Sequence, residues 1–154
     1  MTVRLQREDF DISVETRQLT AGRTDVGAVV SFTGICRDGP QGDRISAMTL
    51  DHYPAMAQAE LERLEAQARE RWPLQDALII HRHGRLVPGD NIVLVLTLSA
   101  HRQAAFEAAE FLMDYLKTRA PFWKKEERSA GSDWVSAKSE DDKALERWSS
   151  GENR

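Results

Sequence analysis

The stretch Asn91–Ser99, NIVLVLTLS, gives the clearest indication of the fold. Its centre is apolar on both faces, which is typical of a strand that lies inside a sheet rather than at its edge. A second strand candidate, Leu78–Leu86, precedes it, and the residues VPGD connect the two. Pro88 and Gly89 suit the two central positions of a type II turn. The sequence therefore predicts a hairpin in which Asn91–Ser99 is an inner strand.

A predicted helix precedes this hairpin. Pro54 suits its first turn, where a missing N–H costs little, and the helix extends to about Arg71. Apolar residues recur every three or four positions, as expected for a helix that packs one face on a sheet. They are Ala57, Leu61, Leu64, Ala68 and Trp72. Glu65 and Arg69 are expected to form an i,i+4 pair on the outer side.

A second predicted helix follows the hairpin, from about Ala100 to Arg119. Ser99 can cap it, because a serine hydroxyl accepts hydrogen bonds from the free N–H groups of a first turn. Its apolar stripe consists of Ala105, Ala108, Ala109, Leu112 and Leu116. Pro121 ends the helix, since the residue before a proline is driven away from helical geometry.

The remaining segments complete the predicted architecture. Val26–Phe32 is expected to be a buried strand that ends at Gly34, and Ile45–Leu50 is expected to be another strand. FWKKE and DWVSAK flank a predicted turn centred on Gly131, and SEDDKALERW has the pattern of a short amphipathic helix. This order favours the α+β class, with helices packed on a largely antiparallel sheet in one domain that spans residues 1–154.

Composition limits the classes of partner and compartment. The 154 residues carry a net charge of -4, so nucleic acid and anionic membranes, which favour basic surfaces, are not expected partners. No apolar run is long enough to span a bilayer, and the N-terminus lacks the apolar core of a signal peptide. Cys36 is the single cysteine, which excludes an intrachain disulfide and fits a reducing compartment. A cytoplasmic location is therefore expected.

Positive charge is concentrated in KTRAPFWKKE, residues 117 to 126. The segment 117–128 holds five basic and two acidic residues, a net charge of +3 in an acidic chain. Crowded cations lower the pKa of a lysine, which makes Lys117 and Lys124 candidates for proton transfer near neutral pH. The alternative is a solvated helix end, because a helix dipole alone favours a lysine at the position of Lys117.

The residues SAHR place His101 and Arg102 in the first turn of the same predicted helix. Free backbone N–H groups attract anions there, although an ordinary cap followed by exposed polar residues explains the pattern equally. These residues precede Lys117 by about 15 positions, or roughly 22 Å along a helix. One small anion cannot touch both ends within one subunit. A shared ligand requires either a long molecule or a symmetric dimer.

Three further candidates lie at strand ends. Arg37 follows a predicted strand, where a side chain can meet an anionic ligand. Cys36 beside it has no evident base, and a lone cysteine is more often a small buried hydrophobe than a nucleophile. His81 and His83 alternate on one strand face without a matching Asp, Glu or Cys, so sheet packing is favoured over a metal site. No GxGxxG or Walker-type loop indicates a nucleotide cofactor.

Five segments carry a resemblance to a known family: GAVVSFTGICR, LDHYP, HRHGRLVPGD, SAHRQAAFEAAEFLMDYLKTRAPFWKKE and DWVSAK. In this order and spacing, over about residues 27–148, the chain resembles the catalytic large subunits of molybdopterin synthase. The resemblance implies an α/β hammerhead fold and a homodimer within a heterotetramer. It also implies a small ubiquitin-like sulfur-carrier subunit whose C-terminal Gly-Gly thiocarboxylate gives two sulfurs to cyclic pyranopterin monophosphate. The product is the dithiolene of molybdopterin.

The same resemblance implies roles for individual residues. Lys117 and Lys124 match the two essential lysines, and Phe32 and Met113 match positions that line the pocket for the carrier tail. The implied substrate-binding residues are Ile35, Cys36, Arg37, His101, Arg102, Lys117, Lys124, Lys125, Glu126 and Lys138. His101 and Arg102 would come from the second subunit. No metal or cofactor is implied, since the carrier supplies the sulfur.

Two of these positions depart from the family pattern. Lys138 stands where arginine is frequent, and a lysine cannot reproduce the bidentate fork of a guanidinium. Cys36 stands where lysine is frequent, which indicates a contribution mainly from the backbone.

Two other functions agree with the residues alone. Phe122 and Trp123, set among basic side chains, could serve a non-enzymatic module that binds anions or single-stranded nucleic acid. An inactive paralogue that keeps only the carrier-binding surface is the other alternative, although it has no evident need for both lysines.

Overall fold

A computed structural model of the chain describes residues 2–39, 44–118, 122–128, 131–135, 143–146 and 148. Within these residues no helix is long and apolar enough to span a bilayer. The elements follow in the order β1 (Thr2–Gln6), α1 (Ile12–Thr20), β2 (Ala28–Ile35), β3 (Ile45–His52), α2 (Pro54–Arg71), β4 (Leu74–Arg82), β5 (Gly84–Leu86), β6 (Asn91–Ser99), α3 (Arg102–Thr118), β7 (Phe122–Arg128) and β8 (Gly131–Val135).

The strands form two four-stranded sheets. The large sheet has the order β1-β4-β6-β2, with β1 parallel to β4 and the other pairs antiparallel. The small sheet has the order β5-β3-β7-β8 and is antiparallel throughout. The predicted α+β class with largely antiparallel strands is confirmed.

Strand β6 lies inside the large sheet, as its apolar run predicts. Residues 93–99 are all buried. Val93 and Val95 belong to a core cluster that also contains α2 and α3 side chains, whereas Leu94 and Leu96 belong to a second cluster on the α1 side of the sheet. Side chains alternate along a strand, so β6 supplies both cores.

Helices α2 and α3 cover one face of the large sheet, and both predicted apolar stripes are buried. The prediction that Glu65 lies on the outer side of α2 is wrong, because this side chain is 2% exposed. It still pairs with Arg69, which also reaches Asp76 at the start of β4, at 3.0 Å. A buried carboxylate requires such partners, so this pair joins α2 to the sheet instead of facing water.

Strand β2 corrects two predictions about the segment 26–34. None of its residues is buried, because it lies at the edge of the large sheet, with β6 as its only partner in the described part of the chain. The strand also continues through Gly34 to Ile35, and the register shifts between these two residues. A Cβ atom at Gly34 would lie 2.8 Å from the Val93 side chain. The glycine therefore marks an irregularity in the strand rather than its end.

The predicted hairpin exists as the antiparallel pair β4–β6, but its first strand is interrupted. β4 ends at Arg82, and the following segment β5, which begins at Gly84 with a φ of +94°, joins the small sheet. The turn at residues 87–90 has the predicted type II character. Gly89 has a φ of +99°, and Asp90 N–H donates to the Val87 carbonyl at 2.9 Å.

The prediction that Ser99 caps α3 is wrong. Ser99 is the last residue of β6, and its hydroxyl donates to the Pro73 carbonyl at 2.9 Å. The helix begins later, at Arg102. Ser99 therefore secures the loop before β4 instead of capping the helix.

The N-terminal elements β1 and α1 have no counterpart in the sequence prediction. β1 alternates apolar and polar residues, but only Val3 of it is buried, so its pattern is weak. α1 contains no buried residue and begins at an Asp11 cap whose carboxylate accepts from Val14 N–H at 3.1 Å. That cap is the signal from which the helix could have been predicted.

The last hairpin and the tail helix are present where the structure describes them, but the prediction of a turn centred on Gly131 is wrong. β7 and β8 pair antiparallel from Arg128 and Gly131, so Gly131 begins β8. Residues 143–146 and 148 are helical. Trp148 is 3% exposed and packs edge-on against Trp72 and Phe111, which attaches the tail to the α2–α3 core.

Candidate active site

Strand β7 places Lys124 and Glu126 on one face of the small sheet. In the β3–β7 register they pair with Leu50 and Met48, whose side chains are buried beneath them. Because side chains alternate along a strand, Lys125 lies on the other face. The structure therefore brings Lys124 and Glu126 together and separates Lys125 from them.

Glu126 is a buried carboxylate with two cationic partners. It is 7% exposed, its Oε2 lies 3.7 Å from the Lys124 amine, and its Oε1 accepts from Arg128. These contacts offset the cost of taking a charge out of water. Lys124 keeps 35% of its side chain exposed. Its amine is therefore oriented by Glu126 and still open to a ligand.

Cys36 lies beside this ion pair, after the end of β2. Burial raises the pKa of the thiol, as does the charge of Asp90, while the charge of Lys124 opposes them. A buried thiol with a raised pKa is a poor nucleophile. Its N–H donates to the Asp90 carbonyl and its carbonyl accepts from Gly89 N–H, both at 2.7 Å. The backbone of Cys36 thus connects the end of β2 to the turn at residues 87–90 through these two hydrogen bonds.

Lys117 lies in the last turn of α3, with its side chain exposed. The negative end of the helix dipole favours a cation at this position. The Lys117 charge is among those that act on the His81 imidazole in the large sheet. Lys117 is therefore carried by α3, which packs on the large sheet, whereas Lys124 is carried by β7 of the small sheet.

Four aromatic rings lie where the two sheets meet; we call His52, His81, His83 and Phe122 the ring cluster. His81 stacks on Phe122 with ring centroids 3.9 Å apart and planes inclined by 15°. His52 packs against the same phenyl ring at 5.5 Å and against His83 at 4.5 Å. His81 belongs to β4, whereas Phe122 is the first residue of β7. The ring cluster is therefore a contact between the large and small sheets.

His81 is neutral at physiological pH. Burial lowers its pKa to about 4, and the charges of His52, His83 and Lys117 act in the same direction. Its Nδ1 lies 2.8 Å from the Arg82 carbonyl oxygen. A carbonyl can only accept, so Nδ1 carries the proton and donates, which leaves Nε2 as the unprotonated nitrogen. The expected packing role of His81 is confirmed by its 7% exposure.

The end of β2 presents the other predicted anion ligand. Arg37 is exposed, and Ile35 before it is 55% exposed. Phe32, at 39% exposure, pairs with Val95, which shares a core cluster with Met113. Phe32 and Met113 thus lie on the α3 side of the large sheet, the side that also carries Lys117.

His101 and Arg102 are exposed at the start of α3, at the opposite end of the helix from Lys117. Gly27 fixes this end against β2: its N–H donates to the Ser99 carbonyl at 3.0 Å. A Cβ atom on Gly27 would lie only 2.1 Å from the Ala100 carbonyl oxygen, so no larger residue fits. The structure does not bring this pair near Lys117 within one subunit.

An aromatic depression of about 330 Å³ lies near the ring cluster, and the sequence reasoning assigned it no role. It is lined by Asp51, His52, Tyr53 and Trp123. Tyr53 and Trp123 meet edge-on at 5.0 Å and are 62% and 43% exposed. Phe122 is unavailable as a stacking platform beside Trp123, because His81 and His52 cover it.

Among the described residues no group of three His, Cys, Asp or Glu side chains has the geometry to hold a metal ion. Lys138 lies outside the described residues, so its predicted role has no structural counterpart here. The contact that sequence reasoning missed is the His81–Phe122 stack. The available signal was the alternation of His81 and His83 in HRHGR, which indicates packing but not the partner.

Comparisons with known proteins agree on one family. The family model described as MoaE protein matches residues 5–119. The molybdopterin synthase catalytic subunit of Mesorhizobium japonicum is 64% identical over 151 residues, which cover 97% of this chain and 94% of the relative. The MoaE protein structure from Burkholderia ambifaria is 49% identical with a TM-score of 0.82, covering 96% of this chain and 97% of its own. The molybdopterin synthase structure from Staphylococcus aureus is 32% identical with a TM-score of 0.80, covering 86% and 96%.

Proposed function

We propose a specific reaction for this chain, which belongs to the MoaE protein family: it is the catalytic subunit of molybdopterin synthase and acts in molybdenum cofactor biosynthesis. It transfers two sulfurs, one after the other, from the thiocarboxylated C-terminus of a small ubiquitin-like carrier subunit. The acceptor is cyclic pyranopterin monophosphate, and the product is the molybdopterin dithiolene. The chain's single cysteine, which cannot form an intrachain disulfide, supports a cytoplasmic site for this reaction.

The observation that supports the residue assignment is the His81–Phe122 stack: Phe122 begins the strand that carries Lys124, and the Lys117 charge is among those that act on the His81 imidazole. Both the substrate phosphate and the carboxylate released from the carrier are anions. Cations fixed at the site hold these groups and offset the negative charge that develops as bonds change. We assign this electrostatic task to Lys124, which Glu126 orients, and to Arg37 at the end of β2.

Lys117 is proposed as the proton-transfer residue. A lysine suits this role when neighbouring cations lower its pKa toward neutrality, because both protonation states are then accessible. The sulfur nucleophile is the carrier thiocarboxylate, so the reaction needs no thiolate from Cys36. The burial of that thiol is consistent with this division of labour.

The carrier tail is proposed to enter between Phe32 and Met113 on the α3 side of the large sheet. Phe32 is 39% exposed although it is a large apolar side chain, and it lies on the face that carries Met113 and Lys117. An extended Gly-Gly tail is narrow enough to pass such side chains and bring its terminal carbonyl carbon to the lysines. Ile35 is proposed to border this path toward the substrate.

His101 and Arg102 are proposed to serve the site of a second subunit in a homodimer within a heterotetramer. Lys117 is 15 residues beyond Arg102 on one straight helix, which separates them by about 22 Å. A pterin monophosphate cannot bridge that distance together with the carrier tail. A two-fold axis removes the difficulty. Each site then contains the C-terminal end of α3 from one subunit and the N-terminal end of α3 from the other.

The test is reconstitution with thiocarboxylated carrier and cyclic pyranopterin monophosphate, followed by detection of the dithiolene pterin. The wild-type chain should form product, and Lys117→Ala should form none while keeping its circular dichroism spectrum and melting temperature. Lys143→Ala, which removes an exposed lysine on the tail helix, is the matched control and should keep the wild-type rate. Absence of product with the wild-type chain would overturn the proposed reaction.

A further inference from the structure

We propose that His81 is a positioning residue of the sulfur-transfer site: its ring, stacked on Phe122, sets the placement of Lys124 relative to Lys117. The inference rests on the proposed function for its activity readout. It assigns a task to a buried histidine that the proposed reaction does not use.

The stack lies at the start of the strand that carries Lys124. Phe122 is the first residue of β7, and Lys124 follows two residues later on the same face of the strand, about 7 Å away. His81, which belongs to the large sheet, contacts the start of β7. Its ring lies nearly parallel to the Phe122 ring, with the two centroids 3.9 Å apart. Any shift of Phe122 therefore moves the backbone that carries Lys124.

His81 also lies on the face of the large sheet that carries α3. Ile79, two residues earlier on β4, shares a core cluster with Leu116, the residue before Lys117. The Lys117 charge is among those that act on the His81 imidazole. His81 therefore contacts the start of β7 and lies on the same side of the large sheet as the helix that carries Lys117.

The His81 ring is held in one orientation and without charge. Nδ1–H donates to the Arg82 carbonyl at 2.8 Å, which fixes the ring plane and the tautomer. His52 and His83 pack on the remaining sides of the ring cluster, and with Lys117 they are the titratable groups whose charges act on His81. A cationic ring at this position would repel Lys117 and lose its apolar contact with Phe122. The positioning role therefore requires the neutral ring.

Two substitutions separate the ring from its nitrogen atoms. His81→Phe keeps a flat neutral ring against Phe122 and should retain kcat within about threefold of wild type. His81→Leu keeps an apolar side chain but removes the stack, and should lower kcat by about 10- to 100-fold, as expected for a reacting group displaced by about 1 Å. The KM for cyclic pyranopterin monophosphate should change less than kcat. Leu78→Val, on the opposite face of β4, is the control for a general loss of packing and should keep the wild-type kcat.

A second readout does not depend on turnover. After reductive ¹³C-methylation of the lysines, the NMR signals of Lys117 and Lys124 are assigned with Lys→Arg variants. His81→Leu should shift at least one of these signals, whereas His81→Phe and Leu78→Val should leave both near their wild-type positions.

Unchanged lysine signals and unchanged kcat in His81→Leu would overturn the positioning role. Equal loss of kcat in His81→Phe and His81→Leu would also overturn it, because the imidazole nitrogens would then matter rather than the stack. If the wild-type chain forms no product while the lysine signals behave as expected, the proposed reaction fails and the positioning of the lysines stands.

Discussion

The large and small sheets differ in how their residues are used. The large sheet has core clusters on both faces, and its inner strand β6 is almost entirely buried. The small sheet covers only a minor cluster of Cys36, Met48, Leu50 and Leu86, and it carries charged site residues on the same face. Stability should therefore depend mainly on the large sheet, whereas the small sheet should contribute more to sulfur transfer, through Lys124, than to stability.

Among substitutions that compare the two sheets, the largest effect is expected at Lys124 in the small sheet. Lys124→Ala should lower the rate of dithiolene formation by at least about 100-fold, because a fixed cation at developing negative charge is typically worth this much. Lys125→Ala is the matched comparison, since it removes the same charge from the other face of β7. Its effect should stay below about tenfold. Equal losses in single-turnover assays of the two variants would show that the faces of β7 are not functionally distinct.

In the large sheet the expected effect falls on stability. Leu96→Ala truncates a fully buried side chain of β6 and should lower the free energy of unfolding by about 2–5 kcal/mol. The activity per folded molecule should remain at the wild-type level. Chemical denaturation gives the first quantity and active-site titration the second. A loss of specific activity as large as that of Lys124→Ala would contradict the separation of the two sheets.

The contact between the sheets should give the next largest effect, as a dependence of stability on pH. The unfolded His81 titrates near 6.5 and the folded residue near 4, so between these values the unfolded chain binds more protons. Stability supplied by neutral His81 is present above pH 6.5 and is lost as pH falls toward 4. The loss is about 3 kcal/mol for a shift of this size.

His81→Phe removes the titrating group from the contact and keeps a ring in its place. The free energy of unfolding of wild type should therefore fall more steeply than that of the variant between pH 6.5 and 4. Urea unfolding at several pH values measures both slopes. Parallel curves would show that His81 does not titrate as a buried group.

The smallest effect should come from the exposed face of the small sheet. Arg85 pairs with Glu127 at 3.1 Å, with side chains 59% and 35% exposed. Exposed ion pairs contribute little, so Arg85→Ala should cost less than about 1 kcal/mol and leave sulfur transfer unchanged. Thermal unfolding and the reconstitution assay together check this. A larger loss in either would mean that this face has a function not assigned to it.

Sequence patterns predicted the large sheet better than its edges. The β6 run and the α2 and α3 stripes are long periodic signals set by burial, and the structure bears them out. The segment containing β2 has the same β-branched composition, yet the strand lies at an edge and is largely exposed. Composition alone does not distinguish an inner strand from an apolar edge. β1 and α1 bury too few side chains to produce a clear period.

The site was predictable only in part for a related reason. The charge excess of residues 117–128 is local in sequence, so Lys117 and Lys124 could be singled out. The His81–Phe122 contact joins residues 41 positions apart in the chain, and no spacing rule connects them. The opposite faces of Lys124 and Lys125 likewise follow from the register with β3, which depends on tertiary pairing.

The proposal that each site combines Lys117 of one subunit with Arg102 of the other is tested most directly by subunit complementation. Lys117→Ala and Arg102→Ala chains, each inactive as homodimers, are coexpressed in equal amounts with distinct tags. In mixed dimers one site then carries both defects and the other carries neither. Dithiolene formation by the doubly purified mixed dimer should recover to about half of the wild-type rate. Mixed dimers as inactive as the parents would place both residues in one subunit's site and contradict the proposal.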